Sequence, residues 1–310
     1  MNLRRYLVRR VLLMVPTFLG ITALTFAIAH FAPGDPLHLD SDLAAAVSTP
    51  ELDAKPLVIV QYGRWLSNLA RFDFGRSLVD HRQVSEKLVD ALPKTLLLAS
   101  LALLLAWALA VPSGVYLATA RGARRGASIL SAGLALASAL PSFWVAVLLL
   151  LAFANPRALD WFPYQGLSSR WHVVLPVLCL TYPMLALAAR QVRAAMQASL
   201  AQQYVTAARA RGISERRVVW HHAFRNALLP LITVLGLQLP HLISGSVVVE
   251  RVFGIAGMGS LAIDSVVSRD YPVVMAIATL TALVTMFAMF LVDLAALMVD
   301  PRLRGSEAVQ

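Results

Sequence analysis

Few side chains in this 310-residue chain have the type and spacing to carry chemistry, and each set meets a physical objection. A phosphate-binding P-loop needs a Gly-rich turn ending in Lys before Ser or Thr. The lysines are Lys55, Lys87 and Lys94; Lys94-Thr95 follows Pro93 with no Gly-rich run before it. ATP hydrolysis by that route is excluded. His221-His222 could suggest a metal site, but adjacent residues on a helix point about 100° apart and do not easily share one ion. No Cys or carboxylate cluster flanks them, so metal binding is not expected. Asp293 is the main ionisable residue within the apolar runs, where proton relays place such groups. A helix-end carboxylate paired with Arg302 or with backbone is the favoured reading. A membrane-embedded hydrolase would need a Ser with a His partner, or two Asp residues, inside the membrane, and neither is evident. The lone Cys179 permits no intrachain disulfide.

The elements that carry these residues are apolar. The chain is 58% hydrophobic and only 14% charged, against about a quarter charged for a soluble chain. Intervals without Asp, Glu, Lys or Arg run 11–34, 95–120, 126–156, 171–189, 226–249 and 271–292. Each suffices for a membrane helix of about 20 residues, so an all-α integral membrane protein with six spans is expected. The net charge of +10 is distributed by topology rather than as a nucleic-acid surface. Arg4, Arg5, Arg9 and Arg10 precede the first span; Arg121, Arg124 and Arg125 separate the second and third. Arg190 to Arg225 separate the fourth and fifth, and Arg302 and Arg304 follow the sixth. Excess Arg marks the cytoplasmic side, which puts both termini inside. The run 11–31 is too long for a signal-peptide core and is expected to remain as the first helix.

Residues 37–94 form the one sizeable extramembrane segment on the other side, with an amphipathic stretch from Leu57 to Leu69 that suits a helix on the membrane or against the bundle. Pro93 opens the second span. The third, about 127–153, contains Pro141, which removes a backbone hydrogen bond and permits a kink; a structural bend is favoured over a substrate contact. The fifth span carries Pro230, Gly236, Pro240 and Gly245, with Gln238 and His241 as its polar residues. A helix so interrupted suits a pore lining with gate hinges.

Tyr204 to Pro230 is neither apolar enough to cross a membrane nor loose enough for a linker. Ala207, Ala208 and Ala210 favour a helix. Gly212 suits its C-terminal end. Ser214 can cap a second, short helix with Glu215 in its first turn. The product is a basic knob, carrying Arg209, Arg211, Arg216, Arg217 and Arg225, with little apolar surface of its own.

This run resembles the cytoplasmic coupling loop of permease subunits in ATP-binding-cassette importers, closest to the peptide branch. The matching residues are Tyr204-Val205, Ala208-Arg209-Ala210, Gly212, His222-Ala223, Arg225-Asn226-Ala227 and Pro230. Further matches are Ala32-Pro33-Gly34-Asp35-Pro36, Asp73-Phe74-Gly75-Arg76-Ser77, Pro141-Ser142-Phe143-Trp144, Val247 to Phe253, Gly257-Met258-Gly259, Arg269-Asp270-Tyr271-Pro272 and Asp300-Pro301-Arg302. Two departures are Ala256, where the family usually has Pro, and Gln203, where it often has Glu. The match covers nearly the whole chain.

The resemblance implies a type I importer permease fold, with residues 1–94 as tail, first helix and extracytoplasmic segment, and 95–310 as the permease core. Its coupling loop spans about 203–226. Residues expected to meet the ATPase are Ala207, Ala208, Arg209, Arg211, Gly212, Ile213, Ser214, Arg216 and Arg217. Pro141, Gln238, His241, Gly245 and Glu250 are expected along the pathway or its gate. The implied partners are a second permease chain, two ATPase subunits that bind ATP and Mg, an extracytoplasmic substrate-binding protein and membrane lipid. This chain itself would need no cofactor. The implied cargo is a di- or oligopeptide, with nickel chelates or glutathione as alternatives within the family and an ion-coupled transporter or membrane enzyme as the alternative outside it.

Overall fold

A computed structural model describes residues 3–31, 57–120 and 125–299, with side chains except at 3–7, 239–245 and 299. Most of these residues are helical. Extended pairing among the described residues is confined to one isolated antiparallel bridge, Arg76 to Gln83. In chain order the helices are α1 (Leu3–Phe31), α2 (Val58–Leu69), α3 (Val84–Thr119), α4 (Arg125–Ala139) and α5 (Ser142–Phe153). Then come α6 (Val174–Leu200), α7 (Gln203–Ala210), α8 (Glu215–Arg217), α9 (Phe224–Val252), α10 (Met258–Val267) and α11 (Tyr271–Val299). A π-helical segment, Val218–Ala223, joins α8 to α9.

Among the described residues four helical stretches are long and apolar enough to cross a membrane: Val8–Phe31, Val84–Thr119, Arg170–Leu200 and Tyr271–Met298. α4 and α5 make a fifth if taken together. The expected span at 226–249 lies inside α9, a helix of 29 residues. Two expectations from the sequence change. Pro93 sits inside α3, which already begins at Val84 rather than opening at the proline. The third span is broken, not merely kinked: α4 and α5 meet at 106°.

The break keeps its backbone groups bonded, as a low-dielectric setting requires. Tyr182 Oη donates to the Leu140 carbonyl at 3.0 Å. The Pro141 carbonyl accepts from the Trp144 and Val145 N–H groups at 3.1 and 3.2 Å. The Cys179 thiol points at the Ser142 carbonyl, 3.4 Å away. At the Leu140 carbonyl α6 therefore supplies a donor where the broken helix lacks its own.

The chain divides into two compact units. One comprises Pro93–Ser260 and Phe287–Gln310 with Met1–Leu3. Its core joins Leu98 and Ala102 to Ala146, Leu150, Leu175, Cys179, Val249 and Phe253. Ala99, Ala102, Ala106 and Ala110 of α3 are all buried. Spaced three and four residues apart, they form a smooth stripe that lets helices approach closely. The other unit comprises Arg4–Leu92 and Leu261–Met286. Its core is Phe26, Ala29 and Met275, with Tyr62, Trp65 and Tyr271 packed around them.

Replacing Tyr182 by Phe removes one hydroxyl and leaves the Leu140 carbonyl without that donor, a loss of about 1–3 kcal/mol. Thermal melting of the purified chain in detergent is expected to fall; an unchanged melting temperature would show that the break does not depend on this bond.

Candidate functional site

Between α6 and α9 the chain makes a compact helical hairpin. α7 ends in two backbone bonds that define a Schellman motif. The Gly212 N–H donates to the Arg209 carbonyl at 2.9 Å, and the Ile213 N–H to the Ala208 carbonyl at 3.3 Å. Gly212 has φ +77°, a conformation that only glycine adopts without strain. Arg209 then reaches across the turn to Glu215, with Nε 2.8 Å and Nη2 3.3 Å from the two carboxylate oxygens. Ser214 occupies the N-cap position of α8 but its side chain makes no capping bond, contrary to expectation. Its carbonyl accepts from the Arg217 and Val218 N–H groups instead.

The second helix is not the free-standing stub that the sequence suggested. α8, the π segment and α9 follow one another without a gap. Val205, Ala208, Val218, Val219 and Ala223 are buried in one cluster with Val115 of α3, Val192 and Met196 of α6, and Ala227 and Leu231 of α9. The basic residues drew attention away from this apolar face. A polar clamp closes the hairpin's base: Ser199 Oγ donates to the Ala223 carbonyl at 2.7 Å and lies 2.6 Å from the Tyr204 hydroxyl. With its proton committed to Ala223, Ser199 accepts from Tyr204. Ser199 was not foreseen; nothing local marks it.

Of the nine residues expected at the coupling surface, Ala207, Arg209, Arg211, Gly212, Ser214, Arg216 and Arg217 are exposed, Ile213 is half-buried and Ala208 is buried. Ala208 thus belongs to the packed base. The His221 and His222 rings stand 5.3 Å apart and nearly perpendicular.

A second constellation surrounds Glu250, which is fully buried. Thr95 Oγ1 donates to its Oε1 at 2.6 Å and accepts from the Met258 N–H at 2.8 Å. The Ser260 N–H donates to Oε2 at 3.0 Å. The carboxylate therefore sits at the start of α10, where N–H groups lack helical partners and a negative charge is favoured. Gly257 and Gly259 make room: a Cβ on Gly257 would lie 2.5 Å from the Glu250 carboxyl carbon, and one on Gly259 would lie 2.5 Å from Val247 Cα. Lys94 Nζ donates to the Ala256 carbonyl at 3.2 Å. The Lys94-Thr95 pair, unfit for phosphate, here secures the turn into α10.

In the smaller unit Asp270, also buried, gathers the segment before α3. Ser77 Oγ donates to its Oδ2 at 2.5 Å and the Leu78 N–H to its Oδ1 at 3.0 Å. Lys87 Nζ lies 3.6 Å from Asp270 and 2.9 Å from Asp80. The hydrogen bond from Lys87 is the main influence on the Asp80 carboxyl; aided by Ser77 and the Arg82 N–H, and opposed by partial burial, it lowers the pKa to about 2.

Of the expected pathway residues, Pro141 is the N-cap of α5 at the helix break. Gln238 is buried and its Oε1 accepts from Trp107 Nε1 at 2.9 Å. The His241 side chain and the surroundings of Gly245 lie outside what is described, as do Arg302 and the segments 32–56 and 300–310. Asp293 lies in α11, and Glu250 belongs to the buried constellation above.

A multi-span helical membrane protein with a compact hairpin between two long helices is the class these features define. The chain belongs to the family of binding-protein-dependent transport system inner membrane components, whose profile matches residues 110–305. It is 36% identical to the oligopeptide transport system permease protein AppB of Bacillus subtilis, over 96% of this chain and 98% of that one. It is 34% identical to the di/tripeptide transport system permease protein DppB of Pseudomonas aeruginosa and 33% identical to the glutathione transport system permease protein GsiC of Escherichia coli K12, each with the same coverage. Among solved structures, the inward-facing MetNI methionine ABC transporter shares the fold: the TM-score is 0.58 at 18% identity, covering 69% of this chain and 96% of that one. The protein is thus a multi-pass inner-membrane transport component.

Glu250→Ala strips the acceptor from the Thr95 hydroxyl and the Ser260 N–H together, for a loss of roughly 2–4 kcal/mol. Gly257→Ala should be comparably harmful, since its methyl group would displace the carboxylate. Both should melt well below the parent, and a parent-like Gly257→Ala would contradict the close approach. Asp80 supplies the pH prediction. A lowered carboxyl pKa stabilises above the unfolded value near 3.8, and that contribution is lost as pH falls towards 2. Melting followed from pH 5 to pH 2 should decline over that window, and less steeply in Asp80→Asn.

Proposed function

We propose that this chain is a permease subunit of an ATP-driven importer of short peptides and moves its cargo by alternating access. The observation that carries the reading is the hairpin 203–223, which is packed on its apolar side and presents Arg211, Gly212, Ser214, Arg216 and Arg217 on the other. A helical knob of this kind suits insertion into a groove on another protein. Two ATPase subunits would receive it together with its counterpart on a second permease chain, and would hold ATP and Mg themselves. A substrate-binding protein would deliver cargo from the opposite side. Both termini would be cytoplasmic, in keeping with the Arg-rich flanks.

The packing supplies the lever. Val205, Ala208, Val218 and Ala223 touch the same cluster as Val115, Val192 and Leu231. A push on the hairpin would therefore shift α3, α6 and α9 together rather than bend a loose loop. Gln238 and Trp107, which bond one another in the body of those helices, would change neighbours as the pathway opens. Peptide cargo is supported by the named substrates of the similar AppB and DppB; glutathione, itself a short peptide, is supported by the similar GsiC.

Co-expression with the neighbouring genes and purification on a tag carried by this chain tests the assembly. A second permease and ATPases should co-purify and be lost when 207–220 is deleted, and the ligand of the cognate binding protein should be a short peptide. A chain that purifies alone and transports without ATPases would overturn the proposal. Arg209→Glu sets two carboxylates against each other at the turn, and Gly212→Pro forbids its φ of +77°. Both should keep the complex assembled while stimulated ATP hydrolysis no longer drives uptake. The charge-reversed double variant Arg209→Glu/Glu215→Arg should recover uptake, and normal uptake by either single variant would sink the coupling role.

A further inference from the structure

We propose that α2 is an interfacial helix sunk into the membrane leaflet at the Phe31 end of α1, with Leu57 to Val60 packed against lipid acyl chains. The depth of α2 can be read against α1. The charge-free run of α1 starts after Arg10, so a hydrocarbon layer of about 20 residues extends to about His30. Tyr62 of α2 places its hydroxyl 2.9 Å from Thr22 Oγ1 and 3.2 Å from the Leu19 carbonyl. At 1.5 Å per residue, Thr22 lies about 12 Å below His30 and Leu19 about 16 Å below it. A tyrosine hydroxyl stands off its own backbone by less than either depth. The backbone of α2 at Tyr62 therefore also lies beneath the hydrocarbon boundary. Tyr62 and Trp65 pack tilted against Phe26, with centroids 5.5 and 6.0 Å away, and Phe26 and Ala29 share a core with Met275 and Tyr271.

The N-terminal end of α2 is bare and apolar. Leu57 is 74% and Ile59 77% exposed, and Val58 and Val60 are exposed beside them. Left in water, four consecutive exposed apolar residues would be unfavourable. In a leaflet they would meet acyl chains, as the exposed Leu24, Ile28 and Phe31 of α1 would. A helix lying in the interface buries its apolar face about 5–10 Å into the acyl boundary, which agrees with the position set by Tyr62. Thr22 itself is fully buried and donates to the Phe18 carbonyl, so the Tyr62 hydroxyl meets a buried polar group while the residues at 57–60 meet lipid. The sequence left two choices for this stretch, on the membrane or against the bundle; the depth of Tyr62 joins them.

The test uses the full chain, with whatever partners purify with it, in phosphatidylcholine nanodiscs. Single cysteines at Ile59 and, separately, Leu57 carry a fluorophore in a Cys179→Ala background, and Ile28→Cys on α1 and Ser67→Cys on α2 serve as references. Acyl chains brominated near the carboxyl end should quench the labels at 59 and 57 at least as strongly as the label at 28. A water-borne maleimide should react with Ser67→Cys and only slowly with Ile59→Cys. Fast aqueous reaction at Ile59→Cys without quenching would place the patch in water and overturn the proposal. Slow reaction together with no quenching would mean that protein covers the patch, and would overturn it equally.

Discussion

A polar group cut off from water must find its partner inside the protein, and this constraint shapes the chain at each place where a helix stops. A buried carboxylate without hydrogen bonds is among the most unfavourable groups a fold can contain. Glu250 is tolerated because Thr95 and the Ser260 N–H hold both oxygens. The same bonds give the start of α10 an acceptor for N–H groups that have no helical partner. One residue thus resolves two deficits, and the surrounding glycines are small because the carboxylate occupies the space beside them.

The break between α4 and α5 follows the same logic with neutral groups. Proline at 141 removes a donor and stops the helix, and the freed carbonyls must be met from elsewhere. α6 meets the Leu140 carbonyl with the Tyr182 hydroxyl, and its Cys179 thiol lies against the Ser142 carbonyl at the start of α5. At the hairpin the backbone closes on itself through the Gly212 turn, and Ser199 and Tyr204 tie the base. Because those ends are tied and the apolar side is packed, force applied to the hairpin is transmitted and not absorbed. Interiors packed at crystal-like density have low compressibility and pass strain on.

Much of this was legible in the sequence and some of it was not, for physical reasons. The apolar runs fix the helices because a membrane span needs length and little else. Gly212 was readable because a helix end in the left-handed region has one favoured residue. Thr95 was not: its partner Glu250 is 155 residues away, and no local pattern announces such a bond. Ser77 and Asp270, separated by 193 residues, were each noticed within a motif, but their pairing was not. Ser214 looked like a cap by type alone; the nearby Arg209–Glu215 pair and the backbone bonds of the turn organise that end instead. The buried face of the hairpin was present in the sequence at Val205, Ala208, Val218 and Val219, and was masked by the arginines between them.

The same accounting bears on what the motifs can and cannot specify. A side chain whose donors and acceptors are satisfied within the fold has little left to offer a ligand. Glu250, Asp270, Ser77, Tyr204 and Thr95 are committed in this way, and Gly212, Gly257 and Gly259 act through backbone shape or close approach. The recognisable residues therefore build the helix ends and the hairpin between α6 and α9. AppB, DppB and GsiC, each similar to this chain, bear the names of different substrates. Selectivity must come from side chains outside the motifs or from the protein that delivers the substrate, since only groups still free to exchange partners can discriminate between ligands.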